Sequence, residues 1–449
     1  MIANAFSCIT SITSYPEYTN VNQAGLTPPQ IATAYNIPAS TGANVKIGII
    51  SLGGGWWPGD LQKSLSNIGV TLSQPITSII VDNAANTFST SDGLSGENTL
   101  DLYCVAGMAP GANIVIYTGV DTGNYYFSNA ATAAGLNSTR GFANVLNRAV
   151  NDNCDIISIS WAAQEILSNV SATYCGDFLS APLANAASKG ITVLVASGDY
   201  GSIGSNVAAN VTSANYPSTS SNVVSVGGTN LQLTAGNLRL TETVDFNDAG
   251  YPSGWGSGGG ISNFITVPSW QTNLTYKRYF AANASTSAPI TLTTRGVPDI
   301  AGPMNTYGLW FGNTITGFGG TSAATPIMAG MLARFMSLNG GRRPIPNAIH
   351  PILYGNLNAY YDITTGNNAT VSYSNGYAAS SNWDPVTGLG VPFGNVVYQM
   401  VSSGGTTVKT AANTWSYLAN VRVKTATNTW SNVQAIWTKV DSTTWKQTF

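Results

Sequence analysis

The chain is 449 residues long and 43% hydrophobic, which excludes a disordered protein and allows one large or roughly two to three ordinary domains around a sizeable core. Only 8% of residues are charged, 17 basic against 19 acidic, so no broad field exists to hold nucleic acid or an anionic membrane surface. No apolar run approaches the ~20 residues of a membrane span, and the first residues lack the basic start and apolar stretch of a classical signal.

Along the chain, apolar runs rich in Val and Ile at 46–50, 114–117, 155–161, 191–196 and 223–226 read as short strands with little alternation, as expected where helices cover both faces of a parallel sheet. Glu97 and Asp101 stand four apart on a segment of helical character, so both carboxylates project from one face. Residues 142–151 and 179–189 are intervening helices, the second stopped by Gly190. The fold class is therefore α/β and doubly wound, and its chemistry belongs in the turns beyond the carboxyl ends of the strands. Asp199 follows the strand ending at Ala196 and lies in such a turn. From 229 to 319 the chain is richer in Gly, Ser and Thr with short strand-like pieces, and a helix opens at Ser322 with Ile327, Met328, Met331, Leu332 and Phe335 at core-facing spacing.

Cys8, Cys104, Cys154 and Cys175 match no zinc spacing; one bridge between Cys154 and Cys175 and simple burial are both open readings. Six glycosylation sequons begin at Asn137, Asn169, Asn210, Asn273, Asn283 and Asn368. Residues 402–407 read as a flexible linker, and a different pattern follows. Lys409, Lys424 and Lys439 recur every fifteen residues, as do Trp415, Trp430 and Trp445, which marks an internal repeat of short strands and turns. Lys409, Arg422, Lys424, Lys439 and Lys446 against Asp441 make this tail basic while the rest of the chain is acidic. Trp beside Lys suits stacking on sugars or gripping a surface or particle; a self-packed β appendage is the other reading.

Glycines before Ser322 permit close approach of substrate backbone, and a serine at a helix N-terminus sits where unpaired N–H groups favour developing negative charge. Thr and Ser also serve as ordinary helix caps, but the following Ala-Ala-Thr-Pro narrows the fit. The sole histidine, His350, comes after Ser322 with no acid near it in sequence, so it reads as structural, and a triad in the order Asp, His, Ser is excluded. A carboxylate replaces imidazole where the pH is low enough for its modest basicity. Glu97 and Asp101 would share a proton, which raises one apparent pKa and makes a glutamate a usable acceptor from serine. The sparse charge of the whole chain fits the same acidic setting.

Ser322 in Gly320-Thr321-Ser322-x-x-x-Pro326, Glu97 and Asp101 in Glu-x-x-x-Asp, and Asp199 in Ser197-Gly198-Asp199 together resemble the sedolisins, the serine-carboxyl peptidases. Supporting segments are 26–38, 52–55, 158–161, 258–262 and 295–299, so the resemblance runs from about residue 26 to 400. It implies a subtilisin-like fold and endopeptidase activity in acid on protein or peptide substrates, outside the cell or on a particle. Residues 1–25 would be an N-terminal extension, 26–401 the peptidase domain, 402–407 the linker and 408–449 the repeat module. In the implied roles Ser322 is the nucleophile, Glu97 its base, Asp101 the group that tunes Glu97, and Asp199 a protonated donor to the oxyanion. The resemblance also implies one Ca2+ held by Asp362, Asp384 and the carbonyls of Ile363, Ser380 and Asn382, an all-oxygen set suited to a hard cation; a turn capped by two Asp is the alternative. Ser51 stands where some members carry an accessory glutamate, Tyr200 where serine is usual and Ala162 where glycine is common. Sedolisins are generally made with a large N-terminal prodomain; a chain that folds without one and a processed start are both open. A catalytically silent structural or binding protein of a viral or surface assembly is the alternative function.

Overall fold

A computed structural model of the chain describes residues 25–120, 133–165, 172–204, 212–245, 256–369 and 375–394, with the strand segments of the tail between 407 and 447. Its centre is an eight-stranded sheet of β1 (Lys46–Leu52), β2 (Thr77–Ile80), β3 (Asn113–Gly119), β4 (Ile156–Ile159), β5 (Thr192–Ala196), β6 (Val224–Leu233), β7 (Arg239–Val244) and β8 (Ile300–Pro303). The order is β8-β6-β5-β4-β1-β3-β2, all parallel, with β7 antiparallel against β6.

Among the described residues seven helices frame it: α1 (Pro28–Ala34), α2 (Pro58–Asn67), α3 (Gly93–Met108), α4 (Ala133–Asn151), α5 (Ala172–Ser188), α6 (Thr321–Leu338) and α7 (Ile349–Tyr354). Successive strand residues point to opposite faces, and the core divides accordingly. Ile47, Ile49, Ile114, Ile116 and Leu194 pack with α3 and α6 residues such as Leu100 and Ile327. Ile50, Leu52, Tyr117, Ile157 and Val195 pack instead with Val145 and Leu146 of α4 and Leu183 of α5. Each such fully buried side chain contributes about 1.5–3 kcal/mol. The expected doubly wound α/β fold is thus present. The helices expected at 142–151 and 179–189 are the second halves of α4 and α5, and Gly190 at φ +70° stops α5 as anticipated.

β3 lies on one side of β1 and β4 on the other, so the connections diverge between β1 and β4. That divergence opens a crevice beyond the carboxyl ends of these strands. Two helices overhang it: α3 starts beneath Asp92, whose side chain accepts the Ser95 N–H at 2.7 Å, and α6 starts after Gly320.

The tail forms three antiparallel hairpins, Thr407–Ala411 with Thr414–Tyr417, Arg422–Ala426 with Thr429–Asn432, and Trp437–Lys439 with Trp445–Gln447. The fifteen-residue period is one hairpin, and it sets Lys409 opposite Trp415, Lys424 opposite Trp430 and Lys439 opposite Trp445. Cys104 and Cys154 are buried free thiols, so Cys154 is in no bridge; Cys8 and the Cys175 side chain lie outside the described residues. Asn368 is buried with its Oδ1 accepting the Tyr377 N–H, which closes that sequon to a glycan, whereas Asn273 and Asn283 are exposed. Among the described residues no helix is long and apolar enough to cross a membrane.

Candidate active site

Buried throughout from Ser95 to Met108, α3 carries Glu97 and Asp101 one turn apart into the crevice. Asn98 anchors the helix start by donating Nδ2 to the carbonyls of Gly53 (3.0 Å) and Gly55 (3.3 Å) in the turn after β1. Beyond β4, the Ser160 Oγ donates to Asp101 Oδ1 at 2.8 Å, and the Trp161 indole donates to the Ile50 carbonyl at 3.0 Å. Ser51 donates its hydroxyl to the Gly53 carbonyl at 2.9 Å, so it shapes this turn.

From the other side, α6 presents Ser322. Gly320 holds φ +96°, a conformation that favours glycine, and turns the chain into the helix. Thr321 then clamps Asp199: its N–H and its Oγ1 each donate to Asp199 Oδ1 at 2.7 Å, while its Oγ1 accepts the Gly198 N–H at 3.1 Å. The end of β5 is thereby pinned to the start of α6.

Glu97, Asp101, Asp199 and Ser322 are all buried. Burial first, and Asp101 second, push Glu97 well above its ordinary value; the Ser322 hydroxyl opposes them, Asp199 adds a further push and Ser160 opposes. Burial likewise raises Asp101 against the pull of Ser160. Asp199 is pushed up to about 6 by burial, with the two Thr321 donors pulling it down. Both Glu97 oxygens, Asp101 Oδ2, Asp199 Oδ2 and Ser322 Oγ have no hydrogen-bond partner. Each unpaired buried polar atom costs about 1–3 kcal/mol, so five gathered in one crevice mark a place held for another molecule's polar groups. The bond between Ser322 and Glu97 is open; such catalytic bonds commonly tighten only once substrate is bound.

All four expected residues therefore converge. Thr321 and Ser160 lie inside motif segments and Asn98 follows Glu97, but the sequence assigns none of the three a role in the site. Two further stretches, 119–135 and 165–177, read from the sequence as loops that help shape the cleft, and they fall largely outside the described residues. His350 lies elsewhere, in α7 near the amino end of β6, whereas Asp199 follows the carboxyl end of β5. Its ring stacks on Trp270 with centroids 4.4 Å apart, and Nε2 lies 2.7 Å from the Val223 carbonyl and 3.6 Å from Asp299 Oδ2. Asp299, remote in sequence, is the acid that no local reading of His350 could find. It is held well below the carboxylate range, against burial, by the Arg295 guanidinium and by His350, with Arg295 at 2.6 and 2.9 Å.

Near the end of the described core, Asp384 is fully buried, its Oδ1 accepting the Val386 and Thr387 N–H groups at 2.9 Å and its Oδ2 the Ser380 N–H at 3.0 Å. Asp362 Oδ2 accepts the Asn382 N–H at 2.8 Å. Thr387 Oγ1 lies 3.3 Å from each Asp384 oxygen and 3.5 Å from the Ile363 carbonyl, which brings that carbonyl to the carboxylate. Burial chiefly, with the field of Asp362 in addition, pushes Asp384 up to about 7. A cation among these oxygens would relieve that cost, and the donor set fits a hard ion. Ser380 and Asn382 face the carboxylates through their N–H groups, and no contact assigns their carbonyls to the same point. Among the described residues no three His, Cys, Asp or Glu side chains are grouped so as to hold a metal ion by themselves.

The profile of the subtilase family matches residues 75–377. Kumamolisin of Bacillus sp. (strain MN-32) is 35% identical over 379 residues, 82% of this chain and 62% of its own length. Sedolisin of Pseudomonas sp. (strain 101) is 30% identical over 380 residues, 82% of this chain and 59% of its own. The chain thus spans about 60% of the length of these relatives. A solved structure of Pseudomonas sedolisin, a serine-carboxyl proteinase, superposes with a TM-score of 0.62 at 26% identity, covering 82% of this chain and 95% of that one.

Proposed function

Because this chain belongs to the subtilase family, and within it to the sedolisins, we propose that it is an acid-active serine-carboxyl endopeptidase that cleaves protein or peptide substrates. The observation that carries this reading is the meeting of Ser322, Glu97, Asp101 and Asp199 in one buried crevice with their reactive atoms unpaired.

Ser322 Oγ attacks the scissile carbonyl carbon while its proton passes to Glu97, which Asp101 holds in a range where it accepts protons from a hydroxyl in acid. Negative charge moves onto the carbonyl oxygen, where neutral Asp199 donates a hydrogen bond; a carboxyl does so only while it keeps its proton. Collapse breaks the C–N bond, Glu97 returns its proton to the leaving amine, and an ester forms on Ser322. Water, deprotonated by Glu97, then attacks the ester, and the proton returns to Ser322 Oγ as the acid leaves.

A Ca2+ held by Asp362, Asp384 and the Ile363 carbonyl, with Ser380 and Asn382 contributing carbonyls, would neutralise the buried Asp384 and brace the segment behind the sheet. The basic hairpins 408–449 would attach the enzyme to a glycan, surface or particle outside the cell, a reading supported by Lys and Trp in direct cross-strand register in all three repeats. Nothing in the site favours a silent structural role, since such a role would not require these four side chains together. A peptide ester incubated at low pH should leave an acyl group on Ser322, seen by mass spectrometry of the digested protein. Acylation elsewhere, or none with protein shown to be folded, would refute the nucleophile.

A further inference from the structure

A carboxyl group in water carries its proton on either oxygen without preference. In this site the two oxygens of Asp199 are not equivalent. Oδ1 accepts two donors, the Thr321 N–H and the Thr321 hydroxyl, each at 2.7 Å. The N–H can only donate, so a proton on Oδ1 would be set against it, while the hydroxyl accepts the Gly198 N–H at 3.1 Å with its own proton directed to Oδ1. Oδ2 has no partner. It faces Gly320, where a Cβ would stand 2.6 Å from Oδ2, so only a residue without a side chain leaves room beside it. Gly320 is two residues before Ser322, which places this free oxygen at the mouth of the nucleophile's helix.

We propose that Thr321 is a positioning residue that decides which oxygen of Asp199 carries the proton: it occupies Oδ1 twice, so the donor is Oδ2–H, aimed at the developing oxyanion. This rests on the oxyanion role assigned to Asp199 above. Of the elements packed near Asp199, α3 brings a charged group, Glu97, whose own value the field of Asp199 raises. Among the described residues the glycine segment beside it reaches Asp199 through backbone, with Gly256 N–H donating to the Asp199 carbonyl at 2.9 Å, and α6 contributes the Thr321 donors. Those donors also stabilise ionised Asp199 and hold it lower than burial alone would. Thr321 therefore has two opposed effects: it orients the acid, and it makes that acid easier to lose as pH rises.

The test is the pH profile of kcat for the full chain and for Thr321→Val, which keeps the shape and the N–H but removes the hydroxyl. In the acid plateau kcat should fall about ten- to hundredfold with KM little changed, since loosening a reacting donor by a fraction of its reach has that scale of effect. The alkaline limb should move to higher pH, and Thr321→Ser should restore both plateau and limb. A merely structural threonine would lower the yield of folded enzyme and leave the limb in place. Should Thr321→Val not fold, the infrared difference between the wild-type chain and Asp199→Ala in acid serves instead, with a carbonyl band at the strongly hydrogen-bonded end of the protonated carboxyl range expected. A free-carbonyl band, or a Thr321→Val profile matching wild type while Asp199→Ala is inactive, overturns the positioning role alone. Full activity of Asp199→Ala with an unchanged alkaline limb overturns the oxyanion reading on which it stands.

Discussion

In the proposed mechanism Glu97 is a base because it is buried beside a second acid, and the same burial makes it costly to the fold. Removing its charge should therefore separate the two effects. Glu97→Gln is expected to lower kcat by roughly 10²–10⁴-fold, the usual scale for a lost general base, while the melting temperature at neutral pH rises or holds, because the repulsion with Asp101 is relieved. Parallel turnover and thermal-melt measurements check this; a fall in both would make Glu97 a structural group. The residues of this site were legible because chemistry constrains their type and spacing: a serine opening a helix after glycines, two acids one turn apart, an acid just past a strand. Thr321, Ser160 and Asn98 were not, since a hydroxyl or amide that positions a neighbour has no sequence pattern of its own. Asp299 beside His350 shows the same limit, as its contact depends wholly on tertiary packing.

Among the strands, the buried ones declared themselves by unbroken apolar runs, and those that the sequence did not reveal have ordinary reasons. β2 is largely exposed at the sheet edge and so lacks such a run, and β8 reads Ile-Ala-Gly-Pro, a turn by composition and a strand by its pairing with β6. In α4 and α5 the apolar spacing marks the second halves, where Val145, Leu146 and Leu183 enter the core. The arrangement of Asp362 and Asp384 is expected to depend on a cation: chelation should lower the melting temperature of the full chain, and Asp384→Asn should abolish the response to added Ca2+. Equal melting with and without chelator would point to the two-aspartate cap instead. Three isolated two-stranded hairpins, as in the tail, are marginal alone, and none of the four site residues lies in them. A chain ending at residue 401 should keep its melting temperature and its turnover of small peptides, and lose retention on whatever surface or glycan the tail binds. Loss of folding on truncation would make the tail part of the domain.

For the molecule as a whole, the buried acids predict an unusual stability profile. Glu97, Asp101 and Asp199 are raised in the folded state, so the fold binds more protons than the unfolded chain between their unfolded and folded values. Their contribution is favourable in acid and is lost as pH rises; for Asp199, from an ordinary value near 4 to about 6, the loss is on the order of 3 kcal/mol. Asp299 has the opposite sign: its depressed pKa, set by Arg295 and His350, stabilises the fold above its ordinary range and is lost as pH falls through and below it. Stability should therefore peak in mild acid, near pH 4, and decline on both sides. Denaturant unfolding at a series of pH values measures it, and a maximum at pH 7 would show that these acids are not buried as described.

The chemistry proposed for the whole molecule turns on a serine activated by carboxyl groups, with one further acid required in its protonated form. Hydrolysis of a denatured protein from pH 2 to 8 by the full chain and by Ser322→Ala measures both requirements at once. Cleavage should require Ser322, rise as the Glu97–Asp101 pair first ionises and fall as Asp199 loses its proton near pH 6. Cleavage that survives Ser322→Ala, or that increases steadily toward pH 8, would contradict this mechanism.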